Sequence, residues 1–340
     1  MLSKKEVLAQ SESAQRQWGE LWLKHAEING KKYQADKNTI AEFAHKGTGK
    51  TLVCCGLAPS FEKKFDLLKK YRANVDIAVV DKALGPCIDG GIIPDMVFLS
   101  DAMISYEEWC APWIGKTENI KLIANITSNP KWSANWKGKV YFCTNKDNIN
   151  TQDIYAPASG CYELIPASSN VGNTVVVFTT MLMNYDQYLL LGYDFVTYPE
   201  DKYYAFKDSD KRYWMKHGAA IDSDGNFGNI TQNLLFTCRW LSDFWRAELV
   251  TKNVQIFNCS GGTICEIPRA NFERKLSLAK KRALNEKEKN QIVKLHQKEQ
   301  RVIAGPNAAK ELQEALQSHP NIGEVLIHYV EPEVVAWLNG

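Results

Sequence analysis

TLVCCGLAPSFEKKFDLLKKYRANVDIAVVDKALGPCIDGGIIPDMVFLSD, residues 51–101, decides the fold. It holds three short apolar runs, TLVCCG, DIAVVD and DMVFLSD, each ending in a polar or glycine-rich turn. A helical segment opened by Pro59-Ser60 separates the first two. Strands alternating with helices imply a parallel sheet, whose ligands bind in the crevice beyond the carboxyl ends of the strands. Three features converge there: the turn Gly56-Leu57-Ala58-Pro59-Ser60, then Asp81, then Asp101. Ser60 reads as an N-cap with Glu62 in the first helical turn, and free backbone N–H groups at such a helix start can hold an anion. A carboxylate at a strand's carboxyl end is either a cap for the next helix or a site residue. Two of them, on strands expected to be neighbours, favour the site.

Upstream, residues 3–45 carry helical spacing, with Leu8, Trp18, Leu21, Trp22 and Leu23 set among polar residues and Asn29-Gly30 as a stop signal. A second short helix is expected over Asn38–His45. The following AHKGTGKT (44–51) ends like a phosphate-binding P-loop. A P-loop, however, follows a strand and opens a helix, and here that order is reversed, so the segment reads as a basic turn.

Downstream the rhythm continues. Lys121–Thr127, Lys139–Thr144 and Tyr162–Pro166 read as strands, with polar Asn125, Ser128, Asn129, Thr144 and Asn145 near their ends. The Trp-rich KWSANWKG (131–138) reads as a surface segment. Ser168–Thr174 opens the apolar helix VVVFTTMLMN and is either a second anion cradle or a plain cap for a buried helix. YLLLGYDF (188–195) is a strand ending at Gly192 and Asp194. Tyr198–Gly218 is aperiodic, a loop or lid, and its His217 is either a general acid–base or an ordinary loop histidine. Asp222-Ser223-Asp224-Gly225-Asn226 contains a D-x-D pair of the kind that holds Mg²⁺, but Asp-Gly between apolar flanks is a strong turn signal and a turn is the expectation, with no metal ligand assigned. Phe236, Trp240, Leu241, Phe244 and Trp245 form a core-facing helix stripe, and NVQIFN (253–258) a final strand. Residues 274–301 are basic with sparse apolar positions.

Bulk properties narrow the function classes. The 340 residues include ten Trp and carry a net charge of only +2, which gives no global case for nucleic acid or membrane binding. The amino terminus lacks a signal-type apolar core, and the longest apolar run falls well short of the ~20 residues of a membrane span. Nine cysteines, without a CxxC and several inside apolar runs, read as buried reduced thiols. The expectation is a soluble, cytoplasmic protein.

G-x-x-P-S, then an Asp some twenty residues on, then G-I-x-P-D-hydrophobic-x-x-S-D, resembles the MptE-like and motility-accessory-factor family of Rossmann-type proteins. Gly56, Pro59, Ser60, Asp81, Pro94, Asp95 and Asp101 carry the match; Leu57 or Ala58 stands where the family usually has a second glycine. Ser168–Thr174 followed by Gly192 and Asp194 fits the sugar-transferring members, and the histidine-rich loop of the pterin kinases is missing at Ser168–Thr174.

The resemblance implies an α/β fold, a Rossmann-like parallel or mostly parallel sheet flanked by helices, with helical additions at both termini. The division is a helical cap over 1–48, a Rossmann-type domain over 49–267 and a basic helical appendage over 268–340. The implied function is a nucleotide-dependent transferase, foremost a glycosyltransferase using a CMP-activated sugar. In it Gly56, Pro59, Ser60, Ser169, Asn170, Gly172, Asn173, Thr174 and Asp194 would bind the nucleotide, and Asp81, Asp101 and His217 would be catalytic. The alternatives are a pterin-type pyrophosphokinase using ATP and Mg²⁺, and a non-catalytic binding protein that keeps the fold alone. The partner is a nucleotide-activated small molecule, and the acceptor a protein hydroxyl, a glycan or a pterin.

Overall fold

The computed structural model describes residues 4–146, 152–198, 204–206, 218–222, 226–262 and 266–279. Its centre is an eight-stranded parallel sheet made of β1 (Thr51–Cys55), β2 (Asp76–Val80), β3 (Met96–Leu99), β4 (Lys121–Asn125), β5 (Val140–Lys146), β6 (Leu164–Pro166), β7 (Gln187–Leu191) and β10 (Ile256–Asn258). A separate antiparallel hairpin pairs β8 (Gly218–Ile221) with β9 (Phe227–Ile230). The sheet order is β10-β7-β1-β2-β3-β4-β5-β6. β1, β2 and β3 are buried along their whole length, which is why they read as continuous apolar runs rather than alternating ones.

The order has one functional consequence. From β1 the chain steps outward through β2 to β6, then returns to lay β7 on the other side of β1. The strand order therefore reverses between β1 and β7, and at such a switch point the loops leaving the two strands diverge and leave a crevice.

The helices are α1 (Lys4–Asp36), α2 (Pro59–Lys63), α3 (Phe65–Lys70), α4 (Leu84–Asp89), α5 (Tyr106–Trp109), α6 (Pro130–Asn135), α7 (Gln152–Ser159), α8 (Val171–Phe178), α9 (Gln232–Phe244) and α10 (Phe272–Leu278). Three expectations are corrected. Asn29-Gly30 does not stop the first helix, which runs unbroken to Asp36. Asn29 is 1% exposed, its Nδ2 donates to Ile126 O and Ser128 O (both 2.9 Å), and its Oδ1 accepts from Ser133 Oγ at 2.7 Å. Gly30 faces α7 so closely that a Cβ would stand 2.6 Å from the Ser159 backbone. The pair is a docking point against the sheet's helical layer. Next, the helix expected over Asn38–His45 is a single tight 3₁₀ turn, Ile40–Phe43. Finally, KWSANWKG is not a surface segment: Trp132 and Trp136 are buried, and Trp136 Nε1 donates to Ile120 O at 2.8 Å.

Replacing Asn29 by Ala orphans two buried carbonyls and leaves the Ser133 hydroxyl with Pro130 O alone. Chemical denaturation is expected to show a loss of about 2 kcal/mol, and wild-type stability in the variant would mean that α1 is not anchored there.

Other expectations stand. The 44–50 segment lies at the amino end of β1, away from the crevice. Lys50 pairs with Asp76 at 3.2 Å and Gly49 N–H donates to Asp186 Oδ1 at 2.7 Å, so its polar groups serve structure. Asp222 and Asn226 close the β8–β9 hairpin, as a turn requires: Asp222 N–H donates to Asn226 O, and Asn226 N–H to Asp222 Oδ1. Eight cysteines among the described residues are unbridged and buried. No described helix is long and apolar enough to cross a membrane. Of the basic segment expected over 268–340, residues 280–340 lie outside the described residues.

Candidate functional site

A cavity of about 650 Å³ opens over the carboxyl ends of the strands. Its first wall is the switch point. Gly56 N–H donates to Leu191 O (2.8 Å) and Ala58 N–H to Gly192 O (3.2 Å), so the turns leaving β1 and β7 are in backbone contact. Both glycines are required there: a Cβ on Gly56 would stand 2.2 Å from Gly192 O, and Gly192 holds a left-handed φ of +74°.

Gly56 and Asp194 line the cavity as expected, whereas Pro59 and Ser60 do not. Ser60 is also not the N-cap of α2. That position is Ala58, which makes no side-chain cap, and Pro59 occupies the first turn. The capping group comes from the turn after β7 instead: the Asp194 carboxylate accepts Ser60 N–H at 2.9 Å and Ser60 Oγ–H at 2.5 Å. Ser60 Oγ in turn accepts Gly192 N–H at 3.1 Å. The Ser60 N–H is thus satisfied internally, and Phe61 N–H donates to Ala58 O (2.9 Å), so the start of α2 is not the expected anion cradle. Burial raises the Asp194 pKa, opposed by its bonds to Ser60 and Gly261 N–H and by Lys63.

The second wall carries the charge. Asp81 follows β2, is 3% exposed and lines the cavity. Burial pushes its pKa up to about 7; Lys82 and the Lys82 N–H (2.7 Å to Oδ1) oppose this, and the nearby Asp101 adds to it. Asp101 follows β3, is exposed, and accepts Met103 N–H at 2.7 Å. Lys82 is a site residue the sequence reading passed over, though its place directly after a strand-end aspartate was visible. Its Nζ donates to Tyr204 Oη at 2.9 Å and stands 4.7 Å and 5.5 Å from the ring centroids of Tyr204 and Trp109.

The third wall is the loop before α8. Asn170 is the N-cap, its Oδ1 accepting Asn173 N–H at 2.8 Å. Ser169, Asn170, Gly172 and Thr174 line the cavity, and Thr174 Oγ1 lies 2.6 Å from Ser168 Oγ. Asn173 does not: fully buried, it donates from Nδ2 to Ser169 Oγ (2.9 Å) and Thr237 O (3.1 Å), tying the loop to α9. His217 lies outside the described residues. Among the described residues, no group of three His, Cys, Asp or Glu side chains gathers as a metal site.

Comparison with known proteins adds to this geometry. The model of the family described as 6-hydroxymethylpterin diphosphokinase MptE-like matches residues 27–200, just over half of the chain. The chain belongs to this MptE-like family. Among solved structures it is similar to the MAf glycosyltransferase from Magnetospirillum magneticum AMB-1, with a TM-score of 0.57 and 16% identity over 81% of this chain. That likeness establishes the fold. The chain spans 42% of the length of that structure. Among the curated proteins none matches.

The matched MptE-like segment contains β1 to β7 with Gly56, Asp81, Asp101, Ser168–Thr174 and Asp194. Not all of the motif residues face the cavity. Asp95 sits at the amino end of β3, the far end from it, and accepts Ile77 N–H (2.7 Å) and Arg72 Nη2 (2.9 Å). Pro94 and Asp95 therefore set the entry of β3, and Asp101 at its exit faces the site. Three parts of the cavity wall come from outside the matched segment: Ala14 and Trp22 of α1, Tyr204, and Asn233, Leu234, Phe236 and Trp240 of α9.

Proposed function

We propose that the cavity binds a nucleotide and that the protein is a nucleotide-dependent transferase, of the glycosyltransferase type with a CMP-activated sugar as donor. The observation that carries this reading is Asp81, a buried carboxyl at the carboxyl end of β2 that faces the cavity with a pKa of about 7. A general base works best when its pKa lies near the operating pH, and Asp81 suits removal of the proton from an acceptor hydroxyl as that oxygen attacks the donor sugar. Charge growing on the departing phosphate needs fixed donors. Lys82 supplies one, and the first-turn N–H groups of Val171 and Gly172, at the positive end of α8, supply others. Asp194 and the Gly56–Gly192 contact hold the two turns that form the floor of this half of the cavity.

The MptE-like membership and the Asp81–Asp101 pair favour a second reading, a pyrophosphokinase. There the two carboxylates would hold Mg²⁺, which would draw charge from the phosphates of ATP. Burial favours the protonated form of Asp81, and Mg²⁺ would have to displace that proton, so the metal-free reading is preferred.

Thermal unfolding with CMP, CDP, UDP, ATP and GTP, each with and without Mg²⁺, separates the two. CMP without metal is expected to raise the midpoint by on the order of 5 °C at about 100-fold over Kd. A shift seen only with ATP and Mg²⁺ selects the kinase, and no shift with any nucleotide removes both readings.

A further inference from the structure

The cavity is divided by charge. Among the described residues, every ionisable carboxylate and amine on its wall, Asp81, Lys82, Asp101 and Asp194, lies over β1, β2, β3 and β7. Over β4 and β5 the described residues of the wall are neutral: Asn125, Thr127, Thr144 and Asn145 with Trp22 and Tyr155. No step of the proposed donor chemistry uses this second half.

Asn125 is built to meet a ligand. It ends β4 and is 5% exposed. Its Oδ1 accepts both Thr127 N–H (3.0 Å) and Thr127 Oγ–H (2.8 Å). A backbone N–H can only donate, so this bond fixes which way the amide points. The Nδ2 group, with two donors, is therefore turned away from Thr127 and bonded to no described residue, on a side chain that lines the cavity. Its two donors open on the cavity and are free to meet a ligand oxygen. Next to it on β5, Thr144 is 1% exposed and spends its proton on Cys161 O (2.9 Å), leaving its oxygen as an acceptor. Among its described residues the neutral half thus offers donors and an acceptor without a charge.

Helix α1 provides the aromatic side. Trp22 meets Tyr155 at 6.3 Å between centroids with the rings at 81°, and Tyr155 Oη donates to Gln15 Oε1 of α1 at 2.9 Å. The rings form a corner rather than a parallel slot. A corner suits the C–H face of a saturated ring; a flat heterocycle is held better between parallel faces. The helix is also fastened to the loop that orients Asn125. His25 Nδ1 lies 3.3 Å from Thr127 O, and Asn29 Nδ2 donates to Ile126 O and Ser128 O on either side of it.

We infer that the neutral half of the cavity, Asn125 and Thr144 backed by Trp22 of the amino-terminal helix, is a subsite for an uncharged, hydroxyl-rich sugar ring, the acceptor for the transfer. This rests on the reading of the charged half as the donor site. It makes α1 part of the binding site. In the transfer, the acceptor hydroxyl gives its proton to Asp81, its oxygen bonds to the donor's anomeric carbon, and the bond from that carbon to the phosphate oxygen breaks, with its electron pair leaving on CMP.

Saturation-transfer NMR with galactose, N-acetylglucosamine and lactose, and 6-hydroxymethylpterin as a flat control, tests it on the full chain. Asn125→Asp keeps the Oδ1 acceptor for Thr127 and removes the two donors; Trp22→Ala removes the platform. Wild-type protein is expected to saturate at least one sugar. Both variants should weaken that signal about tenfold, the loss expected for one or two buried hydrogen bonds or an aromatic face, with the nucleotide-induced thermal shift unchanged. No sugar signal in the wild type, equal signals in wild type and both variants, or saturation of the pterin alone would each overturn the subsite. If sugar binds and depends on these residues but no nucleotide shifts the melting curve, the donor reading fails and the sugar site remains.

Discussion

Asp81→Asn is expected to lower the rate of transfer about a thousandfold while leaving nucleotide binding in place, because Asn keeps the Oδ1 that accepts Lys82 N–H but cannot take a proton. The wild-type rate should rise with pH through about 7, where Asp81 loses its proton, and the variant's residual rate should lack that limb. The same substitution should stabilise the protein. The Asp81 pKa is raised from 3.8 to about 7 in the fold. Its favourable contribution is therefore complete only below the unfolded value and is lost as pH rises through the folded one. Asn carries no such linkage. The variant should match the wild type near pH 4 and exceed it above pH 7, by on the order of 4 kcal/mol. Denaturant titrations at several pH values check this, and a variant that is both inactive and less stable at pH 8 would make Asp81 a structural residue.

Asp194→Ala is expected to act in the opposite sense on stability. It removes the acceptor for Ser60 N–H and Ser60 Oγ and the partner of Gly261 N–H, all at a point where β1 and β7 touch through Gly56 and Gly192. Leaving these donors buried and unpaired costs about 3 kcal/mol. The turns on either side of the crevice lose their common clamp, so nucleotide affinity should fall with stability, which urea unfolding and a nucleotide titration measure together. A variant of wild-type stability that has lost only nucleotide affinity would show instead that the carboxylate contacts the ligand directly.

The sheet was legible in the sequence because its strands are short apolar runs with polar ends, and burial on both faces leaves little other pattern to read. Asp81 and Asp101 could be found because a carboxylate after such a run is conspicuous. Ser60 was misplaced for a physical reason. Its position after Pro59 has the chemistry of a cap, but the capping carboxylate, Asp194, comes from a turn 134 residues away, and sequence spacing is blind to such a partner. The Asn29-Gly30 stop failed in the same way, since three tertiary hydrogen bonds to Asn29 and the close approach of α7 to Gly30 outweigh the local preference for a turn. Trp132 and Trp136 looked exposed among lysines and asparagines, yet α6 and the residue that caps its end turn both inward. Trp22 gave no sign of its place at the cavity, because only the packing of α1 on α7 brings it there. Lys82 could have been singled out beside Asp81; what could not be read is that Tyr204 and Trp109 hold its amine at the cavity.

Calorimetric titration of CMP, without metal, into wild-type protein and Lys82→Met tests most directly whether the charged half of this cavity is a nucleotide site. The methionine keeps the unbranched stem and removes the charge. One CMP should bind per wild-type chain, and the variant's Kd should be raised about tenfold, the loss of one charge-assisted contact to phosphate. No binding to the wild type, or equal affinity in both proteins, would contradict it.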